Sequence, residues 1–425
     1  MRAEALARAR FQRDPRRVIE AACAGGIDPR HVERPQLRAL VEGIARSDRA
    51  ADARASLRIL LLHVHDEADF LFESTEIGGR ALPYVNGLIK LNDRRGAWVA
   101  SLRTWKPTSH NPRKQFGSLA RYLTARFPVP VFMDEAWLDV APGTRRLRDW
   151  FVHIGSGRNI RTAKTPVKLT KMMAHHFIEA PGELAILDAM RWGQIHALGG
   201  DDRLARAVLA TRIGAHFTND DFWSNVLRFF VANPMLHRRH VGPIVDYLDA
   251  QKFQQVEVID VHGMVRLDPP PQPGLSMRGR TANALLAQVE RWHDELGRTR
   301  THVPGAFPRS GHAGYRRASA NGETSWQIRE LSSQADLVAE GKALRHCVAS
   351  YAGECAAGRC SIWTLEWRRG AEALKLQTIE VSKAGAVVQC RGRYNRPPSR
   401  SEYDLVAAWA RAEKLVMSAH LPVED

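Results

Sequence analysis

The residues best suited to chemistry lie close together near the C-terminal end of the sequence. They are His346, Cys347, Tyr351, Glu380, Gln389, Arg391 and Asn395. A cysteine near the start of a helix has a lowered thiol pKa, and a glutamate can act as a base or orient a neighbour. Glutamine, arginine and asparagine side chains can hold a planar or anionic ligand. We predict a composite site in which the first four residues are catalytic and the last three bind the ligand.

The spacing limits what each side chain can do. His346 and Cys347 are neighbours, and adjacent side chains on a helix diverge by about 100°, so His346 is a poor direct base for the thiol. Tyr351 follows Cys347 by four residues and shares its helix face. Gln389 and Arg391 alternate along a strand pattern and therefore share one face of that strand.

The elements that position these residues form a module over residues 326–425. A capping pattern at Ser333 predicts one helix, and a second is predicted over 346–357. Strands are predicted over 360–367, 375–381 and 386–391, and a last helix over 402–417. We therefore expect an α+β protein: a mainly helical N-terminal region, then a small C-terminal module with helices packed on a three-stranded, largely antiparallel sheet.

Three short motifs in this module resemble the PcfJ-like protein family. They are HCVASY at 346–351, TIEV at 378–381 and QCRGRYN at 389–395. The segments 155–177 and 222–253 resemble the N-terminal region of longer family members. The resemblance implies a bacterial conjugative plasmid, phage or related mobile genetic element as context, and with it conjugation. It implies no particular reaction.

The same motifs have a purely structural interpretation. Cys347 and Tyr351 would then belong to the core, and Glu380 would pair with Arg391. Unsatisfied polar groups at the ends of elements cost stability, which favours a site over this alternative.

Metal and cofactor chemistry receives little support. Cys347, Cys355, Cys360 and Cys390 lack the tight pairs of a zinc knuckle, and only Cys355 and Cys360 come near that spacing. His175 and His176 are adjacent on a predicted helix and are not expected to share a metal. The sequence therefore predicts no metal site and no cofactor.

The positive charge is concentrated in one segment. The chain has 425 residues and a formal charge of +16, and residues 94–171 contain sixteen basic and four acidic residues. Aromatic residues are interleaved there, as in grooves that follow a nucleic-acid backbone. We predict contacts to DNA or RNA from ten residues: Arg94, Arg95, Arg103, Lys106, Arg113, Lys114, Arg158, Arg161, Lys164 and Lys168.

The remaining sequence predicts the domain organisation. Residues 1–265 read as mainly helical, with a possible division near residue 143, because apolar residues recur at helical spacing. Residues 266–325 read as a Pro-, Gly- and Arg-rich linker with one helix over 281–296, and 326–425 as the PcfJ-like domain. The sequence has no apolar run long enough to span a membrane, and its five cysteines suggest a reducing cytoplasm.

We thus expect a mobile-element protein that binds nucleic acid through residues 94–171 and has a polar ligand or catalytic site near its C-terminus. One alternative is an enzyme that acts on a small molecule or protein through His346, Tyr351 and Glu380. The other is a non-catalytic interaction scaffold.

Overall fold

The computed structural model describes residues 14–32, 35–45, 51–73, 83–138, 144–259, 265–296, 306–319, 321–418, 421 and 423. The chain divides into two compact units, Met1–Gly193 and Gln194–Asp425. The predicted domain limits at residues 265 and 325 stay a prediction.

The first unit is built from helices. Its helices are α1 (Pro15–Ala24), α2 (Pro35–Ala45), α3 (Ala51–Ala68), α4 (Phe70–Glu73), α5 (Pro83–Asn92), α6 (Pro112–Thr124), α7 (Glu135–Leu138), α8 (Thr144–Gly155), α9 (Lys171–Ile178) and α10 (Ile186–Ala197), which extends into the second unit. In α3 four apolar residues at helical spacing, Leu57, Leu60, Leu61 and Val64, are fully buried, which confirms that this spacing indicates a helix. Asn111 caps α6 by accepting from the Lys114 amide.

The second unit combines helices with two sheets. Its helices are α11 (Asp202–Leu209), α12 (Asp220–Ala232), α13 (Val241–Lys252), α14 (Ala282–Leu296), α15 (Gln334–Leu344), α16 (Ala352–Ala356) and α17 (Arg400–Ala412). Ser333 caps α15 through the Asp336 amide, as its capping pattern predicts. The expected mixture of N-terminal helices and a C-terminal sheet is therefore confirmed.

The main sheet has six strands, so the prediction of three is wrong. Its strands, in spatial order, are β3 (Tyr315–Ala318), β4 (Thr324–Leu331), β5 (Cys360–Arg369), β6 (Glu372–Ser382), β7 (Ala386–Arg391) and β8 (Val416–Met417). A separate hairpin pairs β1 (Val256–Ile259) with β2 (Val265–Asp268). Neighbours in the main sheet are antiparallel except β7 and β8. The missed strands are short or polar, and β3 is exposed along most of its length, so none shows strong apolar alternation.

The apolar face of the sheet packs against α17. Trp363 of β5 and Trp409 of α17 are buried, with ring centroids 4.8 Å apart. Ile379 and Val381 of β6 join this core. Because side chains alternate along a strand, Thr378 and Glu380 point to the opposite face. The core thus fixes the direction of the polar side chains.

The turn before β5 differs from the predicted helix over 346–357. A 3-10 turn spans Val348–Tyr351 and is followed by the five-residue helix α16. Cys347 therefore precedes a 3-10 turn instead of starting a long α-helix. The last helix also ends earlier than predicted, at Ala412, and the chain then forms β8.

Candidate functional site

A small cavity in the second unit brings the predicted residues together. All seven residues set apart by the sequence line it: His346, Cys347, Tyr351, Glu380, Gln389, Arg391 and Asn395. Its volume is about 40 Å³, which is room for roughly three water molecules. We call it the Arg391 cavity. The β6–β7 register places Thr378 opposite Arg391 and Glu380 opposite Gln389, which sets four of its polar side chains side by side.

His346 is held in a buried hydrogen-bond chain. Its Nε2 lies 3.0 Å from Thr378 Oγ1, and that hydroxyl donates to Glu340 Oε1 at 2.8 Å. Lys375 Nζ donates to the other oxygen of Glu340 at 2.5 Å. Because the threonine hydroxyl has one proton, His346 Nε2 must be the donor in its bond to Thr378. Burial lowers the pKa of His346 to about 3, so the imidazole is neutral near pH 7.

Tyr351 and Glu380 form a second pair on the cavity wall. The Tyr351 hydroxyl donates to the Glu380 carboxylate. Burial raises the pKa of Glu380 despite this hydrogen bond, and burial beside Glu380 raises the pKa of Tyr351. Glu380 contacts Tyr351 and lies opposite Gln389, so the alternative in which it pairs with Arg391 does not describe this geometry.

Asp246 of α13 is the centre of a third group. Asn395 Nδ2 donates to its Oδ2 at 2.7 Å, and the Cys347 thiol donates to the same carboxylate. Arg212 Nε lies 3.6 Å from its Oδ1. Burial raises the pKa of Asp246. Gly242 lets α13 approach this region, because a Cβ there would lie 2.9 Å from Asn395 Cβ.

The thiol of Cys347 is less acidic than the sequence argument suggests. Burial and the nearby Asp246 carboxylate raise the pKa of Cys347 well above its ordinary value. The expected lowering of the thiol pKa at a helix start is therefore wrong, since a 3-10 turn and a carboxylate replace the expected helix N-terminus. Cys347 is a hydrogen-bond donor at neutral pH.

Arg391 differs from its neighbours because its guanidinium is incompletely paired. Its Nη1 is buried and has no hydrogen-bond partner among the described residues. The side-chain amide of Gln389, a half-buried residue two positions earlier on the same strand face, also makes no hydrogen bond within the described ranges of the chain. Buried polar groups are normally satisfied, so Arg391 Nη1 is a donor of this cavity that is available to a ligand.

Eight lining residues were not anticipated from the sequence, and three of them contact other polar side chains of the wall: Arg212, Asp246 and Thr378. Arg212 forms ion pairs with Asp246 and Asp249, and it lies more than a hundred residues before the recognisable motifs. Of these three, only Thr378 lies within one of the family motifs, TIEV at 378–381. No local pattern marks the other two, because their role depends on tertiary folding.

His346→Gln is expected to flatten the pH dependence of stability. The unfolded imidazole keeps a pKa near 6.5, so between about pH 6.5 and 3 the unfolded chain binds more protons than the folded chain. The free energy of unfolding therefore falls as the pH falls through this window. The variant should lose about 1.4 kcal/mol less per pH unit than wild type between pH 6 and 4.

Urea denaturation at several pH values measures this difference. His110→Gln, at an exposed position, is the control and should follow wild type. Equal pH slopes for wild type and His346→Gln would show that His346 is not buried in its neutral form.

Two clusters contain side chains that can bind a metal ion. Cys355 and Cys360 place their Sγ atoms 3.9 Å apart, and none of the five cysteines is in a disulfide. His175, His176 and Glu179 bring one ligand-capable atom each within 4.8 Å of the others, closer than the sequence argument expected. His175 already pairs with Glu179 at 3.2 Å on the exposed end of α9. Neither cluster lines the Arg391 cavity.

The basic segment lies in the first unit. Arg94, Arg95 and Lys106 are in ion pairs with acidic residues at 2.5 to 2.6 Å. The other predicted contacts are exposed and have no ion pair to any carboxylate in the described part of the unit: Arg103, Arg113, Lys114, Arg158, Arg161, Lys164 and Lys168.

Few of the interleaved aromatic residues are available for stacking. Trp105 and Phe116 are buried in the helical core. The Tyr122 hydroxyl lies 2.6 Å from Thr104 Oγ1. Phe127 is 55% exposed, and its ring lies against Gly157, next in sequence to Arg158. Phe127 is therefore the best-placed stacking surface of this segment.

The second unit is thus an α+β unit in which helices and a curled, mostly antiparallel sheet line a polar cavity. The chain carries a PcfJ-like domain: residues 288–406 match the family described as PcfJ-like protein. The match includes all seven predicted site residues, whereas Arg212 and Asp246 precede it. No curated protein and no solved structure matches the chain. Within the described residues, no helix has the length and apolar character needed to cross a membrane.

Proposed function

We propose that the chain is a nucleic-acid-binding enzyme whose PcfJ-like region performs acid–base chemistry on a polar ligand in the Arg391 cavity. Exposed cations of residues 94–171 would supply affinity for the phosphate backbone. The observation that supports the proposal best is the convergence of seven residues from separate elements on one cavity. A mobile genetic element remains its predicted context.

Glu380 and Tyr351 are the groups best suited to proton transfer. A catalytic carboxyl group works best when its pKa is raised toward the working pH, and burial has this effect on Glu380. Tyr351 favours the charged form of Glu380 by donating a hydrogen bond, so it tunes the same group. His346 and Cys347 act as positioning residues, since each donates a hydrogen bond within the wall of the cavity.

The exposed cations support nucleic-acid binding. Seven arginine and lysine side chains lack a described acidic partner, so their charge is available to phosphate. An exposed aromatic ring at Phe127 beside Arg158 can stack on a base.

A fourfold variant tests this surface: Arg113, Lys114, Lys164 and Lys168, each replaced by Gln. We expect weaker binding to single-stranded and duplex DNA and RNA in a fluorescence anisotropy titration. The slope of log K against log salt concentration should fall by about 1 for each replaced residue that contacts phosphate.

The matched control removes the same charge elsewhere. Arg203, Arg228, Arg369 and Arg411 are exposed residues of the second unit, and their fourfold Gln variant should keep the wild-type salt slope. Salt-independent binding, or equal losses in both variants, would contradict the predicted surface.

A second candidate is an enzyme that acts on a small molecule. The observation in its favour is the small size of the cavity, about 40 Å³, which suits a compact ligand. If Glu380→Gln stops turnover of a small substrate and the fourfold surface variant has no effect on it, this candidate is preferred.

A further inference from the structure

The buried and unpaired Nη1 of Arg391 indicates which kind of ligand the cavity binds. We propose that the cavity takes the phosphoryl group of a phosphate monoester, with Arg391 as its main ligand-binding residue. This inference rests on the proposed function in one respect, namely that the cavity is the ligand site.

A cationic side chain with a buried nitrogen that lacks a hydrogen-bond partner is suited to bind an anion. Burying a charge without a partner is costly, and an arginine side chain stays protonated in a protein even where burial lowers its pKa. The nearby carboxylates already have other donors: Tyr351 for Glu380, and Asn395 with the Cys347 thiol for Asp246. Arg391 Nη1 is left without a partner among the described residues.

Size and donor arrangement favour a phosphoryl group. The volume of about 40 Å³ suits a compact anion. Donors are available at Arg391 Nη1 and at the Gln389 amide. Arg212 lines the same cavity, and its Nε has no hydrogen bond within the described residues, although it lies 3.6 Å from Asp246 Oδ1. Planar guanidinium groups suit phosphate oxygens, and a pair of them gives several charge-assisted bonds.

The acidic groups of the cavity wall make the affinity for phosphate depend on pH. Asp246 and Glu380 both line the cavity, and their charged forms repel an anion. Asp246 is compensated by Arg212 and by the Asn395 and Cys347 donors. Glu380 in its protonated form can donate to a phosphate oxygen, so we expect phosphate affinity to weaken as the pH rises through the elevated pKa of Glu380.

The test uses the full chain and inorganic phosphate in isothermal titration calorimetry at constant ionic strength. Wild type should bind, and Arg391→Met should lose about tenfold or more in affinity, because it removes charge-assisted hydrogen bonds. Arg391→Lys keeps the positive charge but lacks the planar guanidinium group with its several donors, so it should also weaken phosphate binding. Arg369→Met, at an exposed position on β5, is the control and should bind as wild type.

Thermal unfolding adds a second measurement. Without phosphate, Arg391→Met should have a higher Tm than wild type, because it replaces an unpaired buried charge with an apolar side chain. Phosphate should raise the Tm of wild type and leave that of Arg391→Met unchanged.

Four results would overturn the proposal. They are absence of phosphate binding by wild type, equal binding by Arg391→Met, a lower Tm for Arg391→Met without phosphate, and binding of acetate as tight as that of phosphate. The last would identify a carboxylate site. Because inorganic phosphate needs neither nucleic acid nor turnover, a failure of the proposed function would leave these outcomes unchanged.

Discussion

Glu380→Gln is expected to slow conversion of nucleic-acid substrate by about 10²- to 10⁴-fold, the usual contribution of one general acid or base. The amide keeps the size of the side chain and can still accept from Tyr351, but it cannot exchange a proton near neutral pH. Binding should be unchanged, since the exposed cations of the other unit provide it. Single-turnover assays with labelled DNA and RNA measure the rate and anisotropy the affinity.

Glu372→Gln is the matched control for this prediction. It lies on the same strand, β6, at an exposed position, and should leave the rate unchanged. Tyr351→Phe gives a further readout, because loss of its hydrogen bond should raise the pKa of Glu380 and move the pH–rate profile to higher pH. A folded Glu380→Gln protein that turns over at the wild-type rate, or a wild type that alters no substrate, would refute the acid–base role.

Lys375→Met is expected to cause the largest loss of stability, about 3–5 kcal/mol. Glu340 is fully buried and accepts from Lys375 and Thr378, so removing the lysine leaves a buried carboxylate without its cation. The His346–Thr378 bond depends on the same carboxylate, and we expect it to weaken as well. Urea denaturation at pH 7 measures the change in the free energy of unfolding.

The double variant Glu340→Gln with Lys375→Met should recover much of this loss, because the neutral amide needs no cation. Lys383→Met, at an exposed turn after β6, should stay close to wild type. If the single Lys375→Met variant is as stable as this control, the buried ion pair does not support the cavity wall.

The sequence predicts strands well where apolar and polar residues alternate strongly. The run 386–391 predicts β7 with its observed limits, and the strands at 360–367 and 375–381 are extended by a few residues at their ends. Polar residues at every second position of β6 and β7 must share a face when their neighbours are apolar and buried. The convergence of Glu380, Gln389 and Arg391 follows from this pattern.

Long-range contacts could not be predicted in the same way. Asn395 and Asp246 are 149 residues apart in sequence, and no pattern in the neighbouring sequence predicts their hydrogen bond. The acidity of Cys347 depends on burial and on that same aspartate. The edge strand β3 presents arginines to solvent, so its sequence is that of a loop. These features are consequences of packing and cannot be inferred from propensity.

A crystal structure of the full chain in the presence of inorganic phosphate would test the central claim most directly, that the Arg391 cavity is a ligand site. We predict a phosphate with an oxygen at about 3 Å from Arg391 Nη1, and Gln389 as a second donor. A cavity that contains only water, with Arg391 Nη1 bound to a carboxylate of the protein, would contradict the claim and favour a structural role for the motif.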